Sequence, residues 1–487
     1  MTLPINFLVP GTYVDISNAK AGAAGQEPYR TMIFGQMLSD GNSGTATVNI
    51  PIQVFSGQQA ALFGLGSQLT NTLDAFFANN RVSEVWVTPS IDDIAAEAAV
   101  WTLTVAGPAT AAGTLHLYIN GQEKRVGIAK DDDVATILAA INTVISADSS
   151  LPVSSDNITV DSIDLTNKSA GTVGNQTSVG FNLALGQEFP TGVTVTLEAT
   201  TVGATDPDIQ TAIDAVPDEI YNLYVFPWSN QAAILLFQTE LEERHDQLVQ
   251  LEGHAITAIN GTVNELTVFG DNLDNENITV FDSGTDPVSA PYQTLGALAG
   301  NVAYETEEDP ARTLKSIPLV SIRGDGESTR RTIAERQALL TSGIATHTIR
   351  RDGTMIIDRL VTTYKTNDLG APDNSYKDAV TRFNLSYQRQ SLRAMMATRF
   401  PRYKLADDGI AFGAGQPVAT PTIVKGAIID WLRMLETKAL IEAVTDEVIE
   451  ATSVTRVVGN VNMIKAIIAP DLINNLLITD ATIEFRL

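Results

Sequence analysis

Four histidines, His116, His245, His254 and His347, are the first residues to weigh for metal binding or proton transfer. None falls in an H-E-x-x-H or comparable ligand spacing, and His245 and His254 read as ordinary histidines. Gly64-Leu65-Gly66-Ser67-Gln68-Leu69 begins like a dinucleotide loop, but Leu69 stands where the third glycine should be. It reads as a turn within a helical region. The chain has no G-x-x-x-x-G-K-[ST] and no G-x-S-x-G, so a P-loop and a nucleophile elbow are absent. It has no cysteine, which removes disulfides, zinc-thiolate sites and thiol nucleophiles. Asp271-Asn272-Leu273-Asp274-Asn275-Glu276 offers oxygens to calcium but lacks the glycine of an EF-hand loop, so a solvated turn is the simpler reading. Arg323-Gly324-Asp325-Gly326 contains an adhesion-like tripeptide and reads as a polar turn. No cofactor and no catalytic residue is expected, which favours a structural role.

One charged constellation remains. In a helix predicted over Tyr376–Phe400, Arg382, Arg389 and Arg393 are spaced by seven and four and share a face. Arg399, Arg402 and Lys404 extend the positive charge past the helix end. Lys425, Arg433 and Lys438 follow on the next helix, mixed with Asp430 and Glu436. Together they form a basic strip on an acidic protein, and arginine suits recognition of carboxylates on a partner.

The elements that must position such a strip can be read from periodicity. Thr31–Phe34, an apolar helical spacing over Gln58–Asn80, and Ser83–Thr88 give a β-α-β order and a mostly parallel sheet. From about Ile91 the chain turns rich in Thr, Ser, Gly, Val and Ala. Short strands are expected at Trp101–Val105, Leu115–Ile119 and Val193–Leu197, with one helix after Asp131-Asp132-Asp133. The α/β rhythm resumes at Asp206. Helices are expected over Ile209–Val216, Gln231–Leu251 and Pro291–Tyr304, and strands over Tyr221–Phe226, Ala255–Ile259 and Ile278–Phe281. A third region has a strand over Thr354–Tyr364, helices over Tyr376–Phe400 and Pro421–Val444, and strands in the last forty residues.

The two ends each read as a strand with nothing nearby to pair with. Pro10-Gly11-Thr12-Tyr13-Val14-Asp15-Ile16 is β-prone and is followed by a flexible run from Ser17 to Glu27. That run can span about 35 Å if extended. Ile483, Phe485 and Leu487 fall on one face of a final strand, with Thr482, Glu484 and Arg486 on the other. A tethered strand can find its edge on another molecule, so Tyr13, Val14, Ile16, Ile483, Phe485 and Leu487 are the candidate inter-subunit strand residues.

A length of 487 residues predicts several domains, and an apolar content of 44% is ordinary for a globular chain. Charge is uneven. Residues 1–339 carry 14 Lys+Arg and 41 Asp+Glu, a balance of -27, while residues 340–487 carry 17 and 16, a balance of +1. The acidic part should repel nucleic acid, and the contrast suggests two faces with different neighbours. No positive charge precedes Lys20, and Pro4 and Pro10 interrupt the apolar start, so no signal peptide is expected. No run of about 18 apolar residues is present to span a membrane.

Phe400-Pro401-Arg402-Tyr403-Lys404-Leu405-Ala406-Asp407-Asp408-Gly409 resembles the segment after the long helix in sheath proteins of Mu-like contractile phage tails. Pro10–Ile16 is similar to their N-terminal strand, and Ile468-Ala469-Pro470 with the ending Ile483–Leu487 resembles the end of contractile sheaths. The likeness runs along the whole chain in order and length, and it is least specific over 91–204. It implies an α/β multidomain fold: a mixed-sheet α/β core, an inserted β-rich domain, and a C-terminal α+β domain whose sheets are completed by strands from neighbouring subunits. The boundaries expected are 1–27 for an arm with a linking strand, 28–90 and 205–345 for the central domain, 91–204 for the outer insertion, and 346–487 for the inner domain. The resemblance further implies a helical sleeve of many copies around an inner tail tube, faced by the basic strip. The sleeve meets a baseplate and a tail terminator and contracts without nucleotide to drive the tube through a host envelope. It is expected to be assembled in the host cytoplasm, to belong to the virion tail, to bind no nucleic acid and not to insert in a membrane. The alternative is an α/β enzyme, hydrolase-like or nucleotide-binding, with a β-rich accessory domain. A tube or baseplate component is a further alternative, usually far shorter.

Overall fold

The computed structural model describes residues 29–39, 44–413 and 415–486. They form two compact units, one of Tyr29–Ser386 with the residues from Asn474 onward, and one of Tyr387–Ile473.

The first unit is built on a nine-stranded sheet. Its central strand, Arg30–Gln36, lies parallel to Glu84–Ser90 on one side and to Leu223–Val225 on the other. Beyond Leu223–Val225 the order continues with His254–Ile259, Ile278–Asp282 and Ile344–Ile349, all parallel. Antiparallel strands close both sides: Ile52–Gln53 at one edge, Thr354–Arg359 and then Pro318–Arg323 at the other. Alternation along each strand divides two cores. Ile33, Val85, Val87, Val225 and Phe281 face the helices Gln68–Asn79 and Pro291–Glu308. Met32, Phe34, Tyr224, Phe226 and Val280 face Ile209–Asp214, Gln231–His245 and Val263–Asp271 on the other side.

Two glycines set the closest helix contact. A Cβ on Gly296 would stand 2.1 Å from Thr72 O, and one on Gly300 would stand 2.8 Å from Phe76 O. Only hydrogen at these positions lets Pro291–Glu308 lie on Gln68–Asn79. The single helix expected over Gln58–Asn80 is two, Gln59–Phe63 and Gln68–Asn79. Gly64 and Gly66 both adopt φ +85°, which breaks the first, and the Ser67 side chain caps the second by accepting from Thr70 N.

Residues 91–204 make two antiparallel sheets around a core of their own. One holds Thr194–Thr201, Val100–Ala106, Ser162–Asn167 and Val153–Asp156, and the other holds Gln122–Ile128, Gly113–Ile119 and Val179–Phe181. The helix Val134–Ser146, capped by Asp133, packs Ile137, Leu138, Ile141 and Ile145 into that core.

The domain boundary expected at residue 346 falls later. Ile344–Ile349 and Thr354–Arg359 extend the nine-stranded sheet, and the second compact unit begins at Tyr387 within the helix Ala379–Arg399. Val280 pairs with Ile344 and Phe281 with Ala345, and these side chains join the first unit's cores. In the second unit Pro421–Thr437 starts at the Thr420 cap and buries Val424, Ile428, Trp431, Leu432 and Leu435. Trp431 Nε1 donates to Ser391 Oγ at 3.1 Å. Two short parallel strands, Lys404–Leu405 and Val418–Ala419, and an antiparallel hairpin, Ser453–Val457 with Asn460–Ile467, complete it.

Candidate assembly surface

The Ser453–Val457 and Asn460–Ile467 strands pair only with each other among the described residues. Val461, Met463 and Ile467 are exposed along the second strand, and Val458 stands clear at the turn. The sequence puts apolar side chains on a strand that has no sheet behind it. A two-stranded ribbon is marginal in water, and among the described residues neither outer edge is paired with a further strand. The ribbon is tied to the segment after Leu405: Arg456 Nη1 donates to Asp407 at 2.8 Å, and Nη2 donates across the ribbon to the Val461 carbonyl at 2.6 Å.

The last residues, expected to pair with another copy, lie outside any strand here. Ala481–Arg486 is not a strand within its own chain, and Ile483 and Phe485 are 90% and 81% exposed. The period-2 pattern is present, but no edge among the described residues receives it. Tyr13, Val14, Ile16 and Leu487 lie outside the described residues.

The basic residues separate into two settings. Arg382 is half-buried in the first unit, where Nη2 donates to Asn277 Oδ1 at 2.7 Å and the guanidinium lies 5.4 Å from the centre of the Tyr376 ring. The others belong to the second unit. Arg389 and Lys425 are half-buried, while Arg393, Arg399, Arg402, Lys404, Arg433 and Lys438 are exposed. Arg399 pairs with Asp430 at 2.9 Å, Lys438 donates to Tyr387 OH at 2.6 Å, and Lys404 lies 3.5 Å from Gln416 Oε1. Helical spacing correctly put 382, 389 and 393 on related faces. It could not show that the first turn of that helix belongs to a different compact unit.

The remaining candidates for chemistry are occupied by the protein itself. In α/β sheets ligands bind at the carboxyl ends of strands where the order reverses, here beside Arg30–Gln36. Residues of the 91–204 segment fill that place. Gln36 Nε2 donates to Asp92 Oδ1 at 2.7 Å and to the Ala170 carbonyl at 2.6 Å, and Gln68 N donates to Ser169 Oγ. Gln176 Nε2 donates to the Pro227 carbonyl. A Cβ on Gly66 would meet Leu151 O at 2.5 Å, so the glycine loop is covered by backbone. The acidic turn at 271–276 has no room for a cation. Lys365 Nζ already donates to the Gly270 and Leu273 carbonyls, and Asp274 accepts from Lys365 N at 2.7 Å. Asp325 of the adhesion-like tripeptide is buried, accepting from Thr285 N and Asp286 N.

The four histidines each have a partner within the fold. His116 meets Glu123 at 2.7 Å, His245 Nδ1 donates to the Leu241 carbonyl, and His347 Nδ1 donates to the Asp282 carbonyl at 2.8 Å. His254 bonds Thr279 through Nε2, and burial, reinforced by the nearby Arg382 and His245, pushes its pKa down to about 3. Among the described residues no group of three or more His, Asp or Glu could hold a metal ion. No described helix is long and apolar enough to cross a membrane.

The fold is similar to that of two solved sheath tail proteins. The chain superposes on the sheath tail protein of Desulfitobacterium hafniense with a TM-score of 0.51 and 12% identity, covering 96% of this chain and 97% of that one. It superposes on the sheath tail protein of Listeria innocua with a TM-score of 0.50 and 12% identity, covering 93% of each. Residues 202–363 match the family model of the phage tail sheath protein central domain. Over 442 residues, 90% of each chain, it is 29% identical to the Mu-like prophage FluMu tail sheath protein of Haemophilus influenzae. A third of the chain thus matches a tail sheath central domain, and nine-tenths of it is similar to a Mu-like prophage tail sheath protein.

Proposed function

We propose that many copies of this chain form a helical sleeve around an inner tail tube, and that the sleeve contracts to drive the tube through the host envelope. Copies are linked by strand exchange. The N-terminal strand around Tyr13, Val14 and Ile16 and the C-terminal strand carrying Ile483, Phe485 and Leu487 add to the open edges of the Ser453–Val457 and Asn460–Ile467 ribbon in neighbouring copies. The observation that carries this reading is the match of an open two-stranded ribbon with an exposed, alternating, strandless tail in the same chain. Covalently tethered links of this kind let domains re-pack without separating, and the stored energy lies in the lattice rather than in a nucleotide.

The exposed cations Arg393, Arg399, Arg402, Lys404, Arg433 and Lys438, with Arg389 and Lys425, face the tube. The 91–204 domain lies outside. Baseplate and terminator proteins meet the sleeve at its ends, in a virion tail assembled in the host cytoplasm. Arg382 contributes to the fold more than to the tube contact, because Asn277 and Tyr376 hold it. The direct test is deletion of residues 478–487 in the full chain, with electron microscopy of the purified product. The expected result is a folded monomer that forms no tubes. Tubes indistinguishable from wild type would overturn the strand-exchange reading.

A further inference from the structure

Beyond Ile473 the chain is fixed to the α/β unit at two points. Asn475 and Leu477 are half-buried while Leu476 and Ile478 face solvent, the alternation of an extended segment lying on a surface. Thr313 Oγ1 donates to Asn475 Oδ1 at 2.7 Å, and Lys315 Nζ donates to the Leu477 carbonyl. Both donors sit on the connection between Pro291–Glu308 and Pro318–Arg323, and that connection is itself held. Ala311 N donates to Asp309 Oδ1 at 3.0 Å, Leu314 belongs to the sheet's core, and Ser316 N donates to the Ile357 carbonyl at 2.8 Å. After Leu477 the anchoring stops: residues 478–486 are all exposed and lie in no helix or strand.

We propose that Thr313 and Lys315 are positioning residues that fix the point from which the C-terminal strand departs for a neighbouring copy. The inference rests on the strand-exchange reading above. Nine extended residues reach at most about 30 Å, so the departure point decides which acceptor edges the strand can meet. A strand released earlier in the chain would search a larger volume. Its effective concentration at the acceptor would fall, with no contact at the acceptor changed. Lys315 suits the task because an ammonium can hold a backbone carbonyl whatever side chain the strand carries.

The test compares three full-length variants with wild type by pelleting across a concentration series. Thr313→Val with Lys315→Met should raise the critical concentration for tube formation roughly tenfold, the scale of losing two modest hydrogen bonds. Lys315→Arg alone, which keeps a cationic donor, should assemble close to wild type. Deletion of 478–487 should abolish assembly. Hydrogen exchange across 474–478 in the monomer should rise in the double variant, while its thermal midpoint stays unchanged. If the deletion abolishes tubes and the double variant assembles at the wild-type concentration, the clamp is refuted and strand exchange stands. If the deletion assembles normally, both are refuted. A lowered monomer midpoint in the double variant would make the pair structural and overturn the positioning role.

Discussion

Replacing Ile483 and Phe485 together by serine isolates the apolar face of the C-terminal strand. In the single chain these side chains are 90% and 81% exposed, so their removal leaves no cavity and no unsatisfied partner. The monomer's thermal midpoint should not move. Fully burying an isoleucine or phenylalanine is worth about 1.5–3 kcal/mol. With four-fifths or more of each surface still available, docking both on a neighbour's ribbon should contribute roughly 3–5 kcal/mol. At about 1.4 kcal/mol per factor of ten, the critical concentration for tubes should rise roughly a hundredfold to a few thousandfold. Ultracentrifugal pelleting over four decades of concentration reads this directly. The control is Thr482→Ala with Glu484→Ala, which alters the opposite face. Pelleting of the serine variant at the wild-type concentration would refute strand docking. An equal shift in the control would refute the assignment of faces.

Other outcomes follow from particular side chains. His254 is buried and held neutral, with a folded pKa of about 3 against an ordinary value near 6.5, so the unfolded chain binds its proton first as pH falls. Stability should therefore be lost below pH 6.5 and continue to fall toward pH 3. The loss reaches roughly 2 kcal/mol by pH 5, and comparing urea unfolding of wild type and His254→Asn between pH 7.5 and 5 should show this slope only in wild type. Gly296→Val places carbon against Thr72 O and should cost about 3 kcal/mol or abolish soluble expression, read by thermal denaturation; a wild-type midpoint would show that the helices can part cheaply. Arg393→Glu with Arg402→Glu and Arg433→Glu, all exposed, should leave the fold intact and abolish co-sedimentation with isolated tail tubes. Raised ionic strength should weaken the wild-type contact in the same assay, because exposed charges are screened within about 8 Å at physiological salt.

The sheet was legible because its strands carry their pattern locally. Thr31–Phe34, Ile278–Phe281 and Ala255–Ile259 are short apolar runs bounded by polar turns, and each lies in a strand. The Asp133 cap and its apolar stripe marked the Val134–Ser146 helix correctly. Helix ends were less legible. Gln231–His245 stops short of Leu251, since the apolar residues that follow line a turn rather than a helical face. The end of the strand begun at Thr354 was likewise overextended, because Leu360 and Val361 are buried without continuing the ladder. The late start of the second unit was hidden, since nothing in Ile344–Arg359 distinguishes an edge hairpin of one sheet from the first strands of another. For the candidate surface, the alternating tail and the arginine spacing could be read from residues. The engagement of Arg382 with Asn277, 105 positions away, could not.

The segment 91–204 meets the α/β sheet at the places where the chain crosses into and out of it and at others beyond them. Gln36 with Asp92 and Ala170, Gln68 with Ser169, Asn120 with Tyr292, and Gln176 with Pro227 tie it to the central strand, two helices and a strand end. This is a keyed joint rather than a pair of strings. A torque on this segment is shared among separated bonds and reaches the central strand and two helices as well as the connections near residues 90 and 205. The crevice that an α/β enzyme would keep open for a ligand serves here as a mortise, so the 91–204 segment and the sheet turn together.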